Sequence, residues 1–229
     1  MERPTKLYRP TALIFDLDGL LLDTETIARN AFLDACNEVG WEQTDFDVYV
    51  QCIGRHGPEI GDVLKAGYGS DFPWEEIGPI TQRRYHEYID HKPADIKPGA
   101  SEILAFAEEC GIPCGLATSS RHPTTNSKLS LSNLREFFSI VVTGDDVGQS
   151  KPHPEPYLLT AKRLNVSANE CWALEDSENG VRSAVSAGCI VFQVPDLVQP
   201  SPQLRRLGHQ VVDSLHDVLA VLKQAQNLE

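Results

Sequence analysis

Two aspartates, Asp16 and Asp18, follow a run of apolar residues at 12–15 and precede Gly19. In an extended chain, residues two apart project to the same side, so both carboxylates are expected to face one direction. Paired carboxylates can bind a hard cation, transfer protons, or do both. The alternative is a turn, since Asp and Gly are common turn residues, and this segment by itself favours neither.

The apolar run before Asp16 is typical of a strand that is buried on both faces, as in a parallel sheet. Similar runs predict strands at 114–117, 140–142, 171–174 and 190–194. Helical patterns lie between these strands, and a last one carries Leu215, Val218, Leu219 and Leu222 on one stripe. This alternation predicts an α/β fold with a Rossmann-like parallel sheet core.

Residues 24–95 interrupt that alternation, because their apolar spacing is helical throughout. We expect helices from about 24 to 39, 44 to 53, 58 to 66 and 74 to 88. This stretch therefore reads as an inserted α-helical domain, with hinges near 22–24 and 94–98. The predicted core comprises residues 1–23 and 96–229.

Polar residues follow three of the predicted strands, at the point where each strand ends. They are Asp16 and Asp18, then Thr118, Ser119 and Ser120, then Glu175 and Asp176. The carboxyl ends of parallel strands lie along one edge of a sheet, where such folds bind their ligands. Groups about a hundred residues apart are therefore expected to meet in one crevice.

The composition limits the classes of protein that the chain can represent. Its 229 residues suffice for one large domain or for a domain with an insertion. A net charge of −13 argues against a nucleic-acid surface, and no apolar run has the length of a signal peptide or a membrane span. The six cysteines form no C-x-x-C pair, which favours free, reduced thiols and a cytoplasmic location. Nothing in the sequence demands more than a monomer.

The motifs at these strand ends resemble those of a known family. Asp16-x-Asp18-Gly19, Thr118 closing an apolar strand, Lys151-Pro152 and Glu175-Asp176 are similar, in that order, to the four signature motifs of the haloacid dehalogenase (HAD) superfamily. The resemblance spans nearly the whole chain, and the insertion at 24–95 resembles the α-helical cap of that superfamily. The surrounding Gly-Leu-Leu-Leu-Asp-Thr-Glu and Lys-Pro-His-Pro-Glu are similar to the subgroup of β-phosphoglucomutase and small sugar-phosphate phosphatases. Further stretches resemble pseudouridine-5′-phosphatases, at 14–25, 98–100, 117–120 and 194–196.

The resemblance implies a Mg²⁺-dependent phosphoric monoester hydrolase with an aspartyl-phosphate intermediate. Asp16 would be the nucleophile, and Asp18 would protonate the leaving oxygen and later take a proton from water. Thr118 and the Ser119 amide would hold phosphate oxygens, and Lys151 would neutralise both the phosphate and Asp16.

The resemblance also implies the metal ligands. Mg²⁺ would be held by Asp16, the backbone carbonyl of Asp18 and Asp176, with Glu175 in support. A cation is physically reasonable there, because a carboxylate that approaches a phosphate dianion is otherwise repelled.

The substrate is expected to be a small phosphorylated metabolite, whether a hexose phosphate, a nucleotide-like phosphate or phosphoglycolate. Candidates for binding it are Arg55 in the insertion and Ser120 with Arg121 in the core, although a surface ion pair is an equal alternative for each arginine. A phosphomutase is a second possibility, but such mutases carry a His where this chain has Ala28. A third is a non-catalytic phosphate- or partner-binding protein on the same fold.

Without the resemblance, several of these residues have plainer interpretations. Lys151 before a proline could be a solvated loop lysine, and Thr118 could merely cap the following helix. Asp145 and Asp146 are expected to lie in a solvated turn or to give weak support to a bound metal ion. His153 between two prolines is expected to be part of a loop rather than a catalytic base.

Overall fold

A computed structural model describes residues 8–53 and 58–226 of the chain. Its centre is a six-stranded sheet in the order β3-β2-β1-β4-β5-β6, with every neighbouring pair parallel. The strands are Ala12–Phe15 (β1), Cys114–Ala117 (β2), Phe138–Val142 (β3), Cys171–Glu175 (β4), Ile190–Gln193 (β5) and Gln210–Val211 (β6). The predicted α/β fold with a Rossmann-like parallel sheet is confirmed.

Some helices pack on the two faces of the sheet, and others make up the inserted segment at 24–95. They are Thr24–Val39 (α1), Phe46–Val50 (α2), Pro58–Tyr68 (α3), Trp74–Ile89 (α4), Ala100–Glu109 (α5), His122–Leu131 (α6), Glu155–Arg163 (α7), Glu178–Ser186 (α8), Pro202–Arg205 (α9) and Leu215–Gln226 (α10).

Three details of the chain differ from the sequence-based expectation. Helix α2 is shorter than the predicted 44–53. Helix α6 ends at Leu131 rather than near 138, because Asn133 adopts a left-handed conformation with φ of 57°, which stops a helix. The two-residue strand β6 and the four-residue helix α9 were not predicted, since neither is long enough to show a periodic pattern.

The sheet is buried on both faces, as the continuous apolar runs predict. Leu13 and Phe15 of β1 point into one layer, against α5 and α10. Ala12 and Ile14 point into the opposite layer, against α7 and α8. Because β1 lies between β2 and β4, its carboxyl end is at the middle of the sheet edge.

The helices α1–α4 have an apolar core of their own, which includes Phe32, Leu64, Phe72 and Ile77. Two stretches of backbone lead into and out of this segment, and they run side by side: Leu22 pairs with Ile96. The amide of Lys97 also donates to the carbonyl of Leu21 over 2.9 Å. We propose that residues 24–95 form a cap domain that moves about these two stretches, with 1–23 and 96–229 as the core.

Among residues 8–53 and 58–226, no helix combines the length and the apolar character that crossing a membrane requires.

Candidate active site

The register of the sheet brings three strand ends together. Phe15 pairs with Leu116 of β2 and with Leu174 of β4. Asp16 lies one residue beyond this register position, and Thr118 and Asp176 lie two residues beyond it. All three line one cavity of about 440 Å³. Residues separated by more than a hundred positions in the chain therefore share one crevice, as the parallel topology requires.

Asp16 lies at the centre of this crevice, fixed by both its backbone and its side chain. Its amide donates to the carbonyl of Leu174 over 3.0 Å, which continues the pairing of β1 with β4. Its side chain is 9% exposed, and its Oδ1 lies 2.5 Å from Nζ of Lys151. The Lys151 side chain is 5% exposed, and its Nζ also contacts Oε1 of Glu175 at 2.5 Å. The interpretation of Lys151 as a solvated loop residue is therefore wrong.

Glu175 is fully buried and accepts hydrogen bonds on both oxygens. Oε1 accepts from the Tyr157 hydroxyl at 2.7 Å in addition to Lys151. Oε2 accepts from the amide of Asp176 and from the amide and hydroxyl of Ser177, at 3.1, 3.3 and 3.2 Å. A side chain held by so many donors is rigid, so Glu175 determines where the Lys151 ammonium lies.

We call Asp16, Lys151, Glu175 and Asp176 the acidic centre. Burial raises the pKa of Asp16 to about 7, although the Lys151 ammonium acts in the opposite direction. Burial and the carboxylates of Glu175 and Asp16 raise the pKa of Asp176 well above its usual range. The pKa of Lys151 is also raised, because its two carboxylate partners outweigh the effect of burial. Within this centre, three carboxylates face one ammonium group, so positive charge is in deficit.

The acidic centre fits a bound divalent cation. Asp16, Glu175 and Asp176 each offer a carboxylate oxygen, and these atoms all lie within 4.8 Å of one another. Gly19 has a φ of 84° and packs so closely on Asp176 that a Cβ there would clash with Oδ2. The backbone of the Asp16–Gly19 turn can thus approach Asp176, and clustered oxygen ligands are what hard cations prefer.

Asp18 has a different environment, which we call the Asp18 pair. Its Oδ1 lies 2.5 Å from Nζ of Lys128 in α6, and its Oδ2 accepts from the Ser120 hydroxyl at 2.7 Å. Burial alone would raise the pKa of Asp18, but the Lys128 ammonium and these hydrogen bonds outweigh it and hold the pKa below its ordinary value. One carboxylate here faces one ammonium group.

The loop between β2 and α6 lies beside both groups. Thr118 is 2% exposed, and its Oγ1 accepts from the Ser120 amide at 3.1 Å. Ser119 lines the cavity and is exposed, while Arg121 lies at the rim with its side chain 82% exposed. The predicted Thr118–Arg121 residues thus all border the cavity.

Asp145 and Asp146 support this loop, and the expectation of a solvated turn is only partly met. Oδ2 of Asp145 accepts from the amide of His122, the first residue of α6, at 2.9 Å. Asp146 is 12% exposed and pairs with Arg163 at 2.9 Å. The His153 side chain stabilises the backbone at the start of α7, because its Nδ1 accepts from the Glu155 amide at 3.2 Å.

The helical segment closes the cavity opposite the strand ends. Its described lining residues are Thr24, Glu25, Ala28, Ile53, Gln82, Tyr85 and His86. Arg55, a predicted substrate contact, lies outside the described residues.

Among the residues that sequence reasoning missed, Lys128 and Tyr157 contact the buried carboxylates directly. The sequence of α6 has no apolar stripe that would mark Lys128, and only the structure shows that it shares a buried face with Thr125, Leu129 and Ser132, at spacings of three and four residues. A lysine on such a face must pair with a buried acid. Tyr157 lies on the buried face of α7 with Ala161, where an aromatic residue reads as ordinary core.

Comparisons with known proteins agree with this geometry. Residues 13–194 match the model of the haloacid dehalogenase-like hydrolase family. The YhcW protein of Bacillus subtilis is 34% identical over 212 residues, covering 92% of this chain and 95% of its own length. A phosphorylated carbohydrates phosphatase of Thermotoga maritima is 30% identical over 218 residues, covering 93% and 98%. A crystal structure of a CbbY variant from Rhodobacter sphaeroides in complex with xylulose-(1,5)bisphosphate has a TM-score of 0.69 and 26% identity, covering 90% of this chain and 95% of that one.

The chain therefore belongs to the haloacid dehalogenase-like hydrolases. Its relatives within that family include several named phosphatases, and the chain is a phosphoric monoester hydrolase.

Proposed function

We propose that this protein hydrolyses a small phosphorylated metabolite, a sugar phosphate or a nucleotide-like phosphate, with Mg²⁺ and through an aspartyl-phosphate on Asp16. The observation that carries the proposal is the acidic centre. In it, the buried Asp16 is held by Lys151 at 2.5 Å beside two further carboxylates.

In the first step, an Oδ of Asp16 attacks phosphorus and the bond from phosphorus to the leaving oxygen breaks. Lys151 holds Asp16 in place and neutralises charge on the entering phosphoryl group. We assign Thr118 and the Ser119 amide as donors to phosphate oxygens. The Thr118 hydroxyl accepts from the Ser120 amide at 3.1 Å, and its own proton makes only a long contact of 3.5 Å to Oδ2 of Asp18, which a phosphate oxygen would replace.

Asp18 is the general acid of the first step and the general base of the second. In its protonated form, which the lowered pKa of Asp18 makes the minor form in the free protein, it gives its proton to the leaving oxygen, which departs as an alcohol. As a carboxylate it then takes a proton from water, whose oxygen attacks phosphorus and breaks the bond to Asp16. The products are the alcohol and inorganic phosphate, and Asp16 and Asp18 return to their starting forms.

The residues that would hold Mg²⁺ are Asp16, Asp176 and the backbone carbonyl of Asp18. The oxygens of Glu175 are already engaged by several donors, so we assign it a supporting role through Lys151. When bound, the cation supplies positive charge that lets a carboxylate and a phosphate dianion approach each other.

The cavity supports hydrolysis rather than phosphoryl transfer between two positions of a sugar. Ala28 of α1 lines it at the place where the mutases that this chain resembles carry a histidine, and a methyl group cannot accept a proton. Arg121 at the rim and Ser120 in the loop are the proposed core contacts to the rest of the substrate. The contact of Arg55 with the substrate stays a prediction.

The experiment is a screen of phosphate release over a panel of phosphorylated metabolites, ranked by kcat/KM. p-Nitrophenyl phosphate with Mg²⁺, and then with EDTA, serves as the general reaction. Release that depends on Mg²⁺ and is absent in Asp16→Asn supports the proposal. Full activity of Asp16→Asn would contradict the nucleophile, and no release from any substrate would favour a non-catalytic binding protein.

A further inference from the structure

Lys128 is a buried lysine that the proposed reaction does not use. It lies two turns into α6 with its side chain 2% exposed. Taking an ammonium group out of water is costly unless an acceptor compensates it. Its place in the interior therefore depends on the groups around Nζ.

Those groups form a closed triangle of short contacts. Nζ of Lys128 lies 2.5 Å from Oδ1 of Asp18 and 3.2 Å from Oγ of Ser120. The Ser120 hydroxyl in turn donates to Oδ2 of Asp18 at 2.7 Å. Both oxygens of Asp18 are thus engaged by different donors, which fixes the plane of the carboxyl group as well as its position.

A fourth group comes from the helical segment rather than from the core. Nζ of Lys128 lies 5.7 Å from the centre of the Tyr85 ring in α4. An ammonium group at this distance is attracted by the face of an aromatic ring. Helix α4 therefore touches Asp18 through one intermediate side chain.

We propose that Lys128 is a positioning residue, which holds the Asp18 carboxyl in its reactive orientation and, through Tyr85, ties that orientation to the position of the helical segment. This inference rests on the proposed function, because that function assigns proton transfer to Asp18. In this proposal Lys128 acts on the substrate through the Asp18 carboxyl that it contacts.

A purely structural role for Lys128 has a different consequence. If Lys128 only stabilises the fold, its loss should slow every substrate by the same factor. If it positions Asp18, its loss should slow most the substrates whose leaving oxygen needs a proton. An alkyl phosphate needs that proton, whereas the p-nitrophenolate leaving group departs without it.

The test compares Lys128→Met with a matched control, Lys162→Met, on the exposed side of α7. The measured quantity is kcat/KM, which reports the steps up to formation of the aspartyl-phosphate, for glycerol 2-phosphate and for p-nitrophenyl phosphate. We expect Lys128→Met to lose about 100-fold on glycerol 2-phosphate and less than about tenfold on p-nitrophenyl phosphate. Lys162→Met should match the wild type on both. Equal losses on the two substrates, or no loss on either, would overturn the proposal.

A double-mutant cycle provides the second readout. Once Asp18 is replaced by Asn, no proton-transferring carboxyl remains for Lys128 to position. Adding Lys128→Met to Asp18→Asn should then change kcat/KM for glycerol 2-phosphate by less than about threefold. A further loss of about 100-fold in that background would show that Lys128 acts independently of Asp18.

Two milder variants apply if Lys128→Met does not fold. Lys128→Arg keeps the charge but cannot place a compact ammonium against both Asp18 and Ser120. Tyr85→Leu removes the aromatic ring of α4 that faces the Lys128 ammonium. Both should show the same preference for loss on glycerol 2-phosphate, and a uniform effect in Lys128→Arg would overturn the proposal.

The outcomes also separate this inference from the proposed function. If Asp18→Asn loses activity selectively on glycerol 2-phosphate and Lys128→Met does not, only the role of Lys128 fails. If Asp16→Asn retains full activity, the proposed function fails, whatever Lys128 does.

Discussion

The acidic centre and the Asp18 pair lie at the same sheet edge, yet they differ in their balance of charge. The acidic centre sets three buried carboxylates against the single ammonium of Lys151. The Asp18 pair sets one carboxylate against Lys128. The pKa values follow this difference: the pKa of Asp16 rises to about 7, mainly through burial, whereas that of Asp18 falls below its ordinary value.

This difference indicates what each group is suited to do. Buried negative charge in excess is unfavourable unless a cation joins it, so the acidic centre is suited to bind a metal ion and a phosphate. A balanced pair needs no further ion, so the Asp18 pair is suited to hold a side chain in one orientation. The following experiments test that contrast.

The largest effect is expected for Asp16→Asn. An amide is a poor nucleophile, and turnover should fall by at least about 10⁴-fold. The fold should persist, because the amide oxygen can still accept from Lys151. Phosphate release measures the loss of turnover, and thermal unfolding checks that the fold persists. If the variant is inactive because it is unfolded, the contrast between the acidic centre and the Asp18 pair loses its support.

Asp18→Asn should lower kcat by about 10²–10⁴-fold, the usual contribution of general acid–base catalysis. Its affinity for Mg²⁺ should stay close to that of the wild type, because the proposed ligand is the backbone carbonyl of residue 18. Calorimetric titration with Mg²⁺ measures this without reference to activity. Loss of metal binding in this variant would contradict the separation of the two groups.

Asp176→Asn should have the opposite pattern, with weaker metal binding as its main defect. We expect the Mg²⁺ affinity to fall by about 10- to 100-fold, with activity partly restored at high Mg²⁺. The same titration measures it, with Asp146→Asn as a control, because Asp146 is a partly buried acid of the loop after β3 that pairs with Arg163, outside the centre. EDTA should abolish activity in the wild type, and added Mg²⁺ should restore it. Unchanged affinity in Asp176→Asn would argue against a metal in the acidic centre.

The smallest effect is expected for Tyr157→Phe, which removes the hydroxyl that donates to Glu175 at 2.7 Å. A buried acceptor that loses one of its donors should lower the free energy of unfolding by about 1–3 kcal/mol. Tyr88→Phe, at a ring that is 37% exposed, should be close to neutral. Denaturant unfolding compares the two, and equal values would show that the donors to Glu175 are interchangeable with water.

Much of the fold could be predicted because its signals are local. The run at 12–15 is apolar at every position, which only a strand covered on both faces tolerates, and the sheet does bury it on both sides. The end of α6 was misplaced, because the left-handed turn at Asn133 depends on one residue rather than on a periodic pattern. The site could be predicted where its residues follow strands, as Asp16, Thr118 and Asp176 do.

The sequence by itself determined which residues follow the strands and, through the parallel order of those strands, that they would share one edge. The family resemblance already implied that Lys151 lies against Asp16, whereas only the tertiary structure decided that Lys128 pairs with Asp18. Lys128 reaches Asp18 across 110 positions of the chain, and Lys151 reaches Asp16 across 135. Residue spacing records neighbours within one helix or strand, whereas an ion pair between elements depends on how their faces pack.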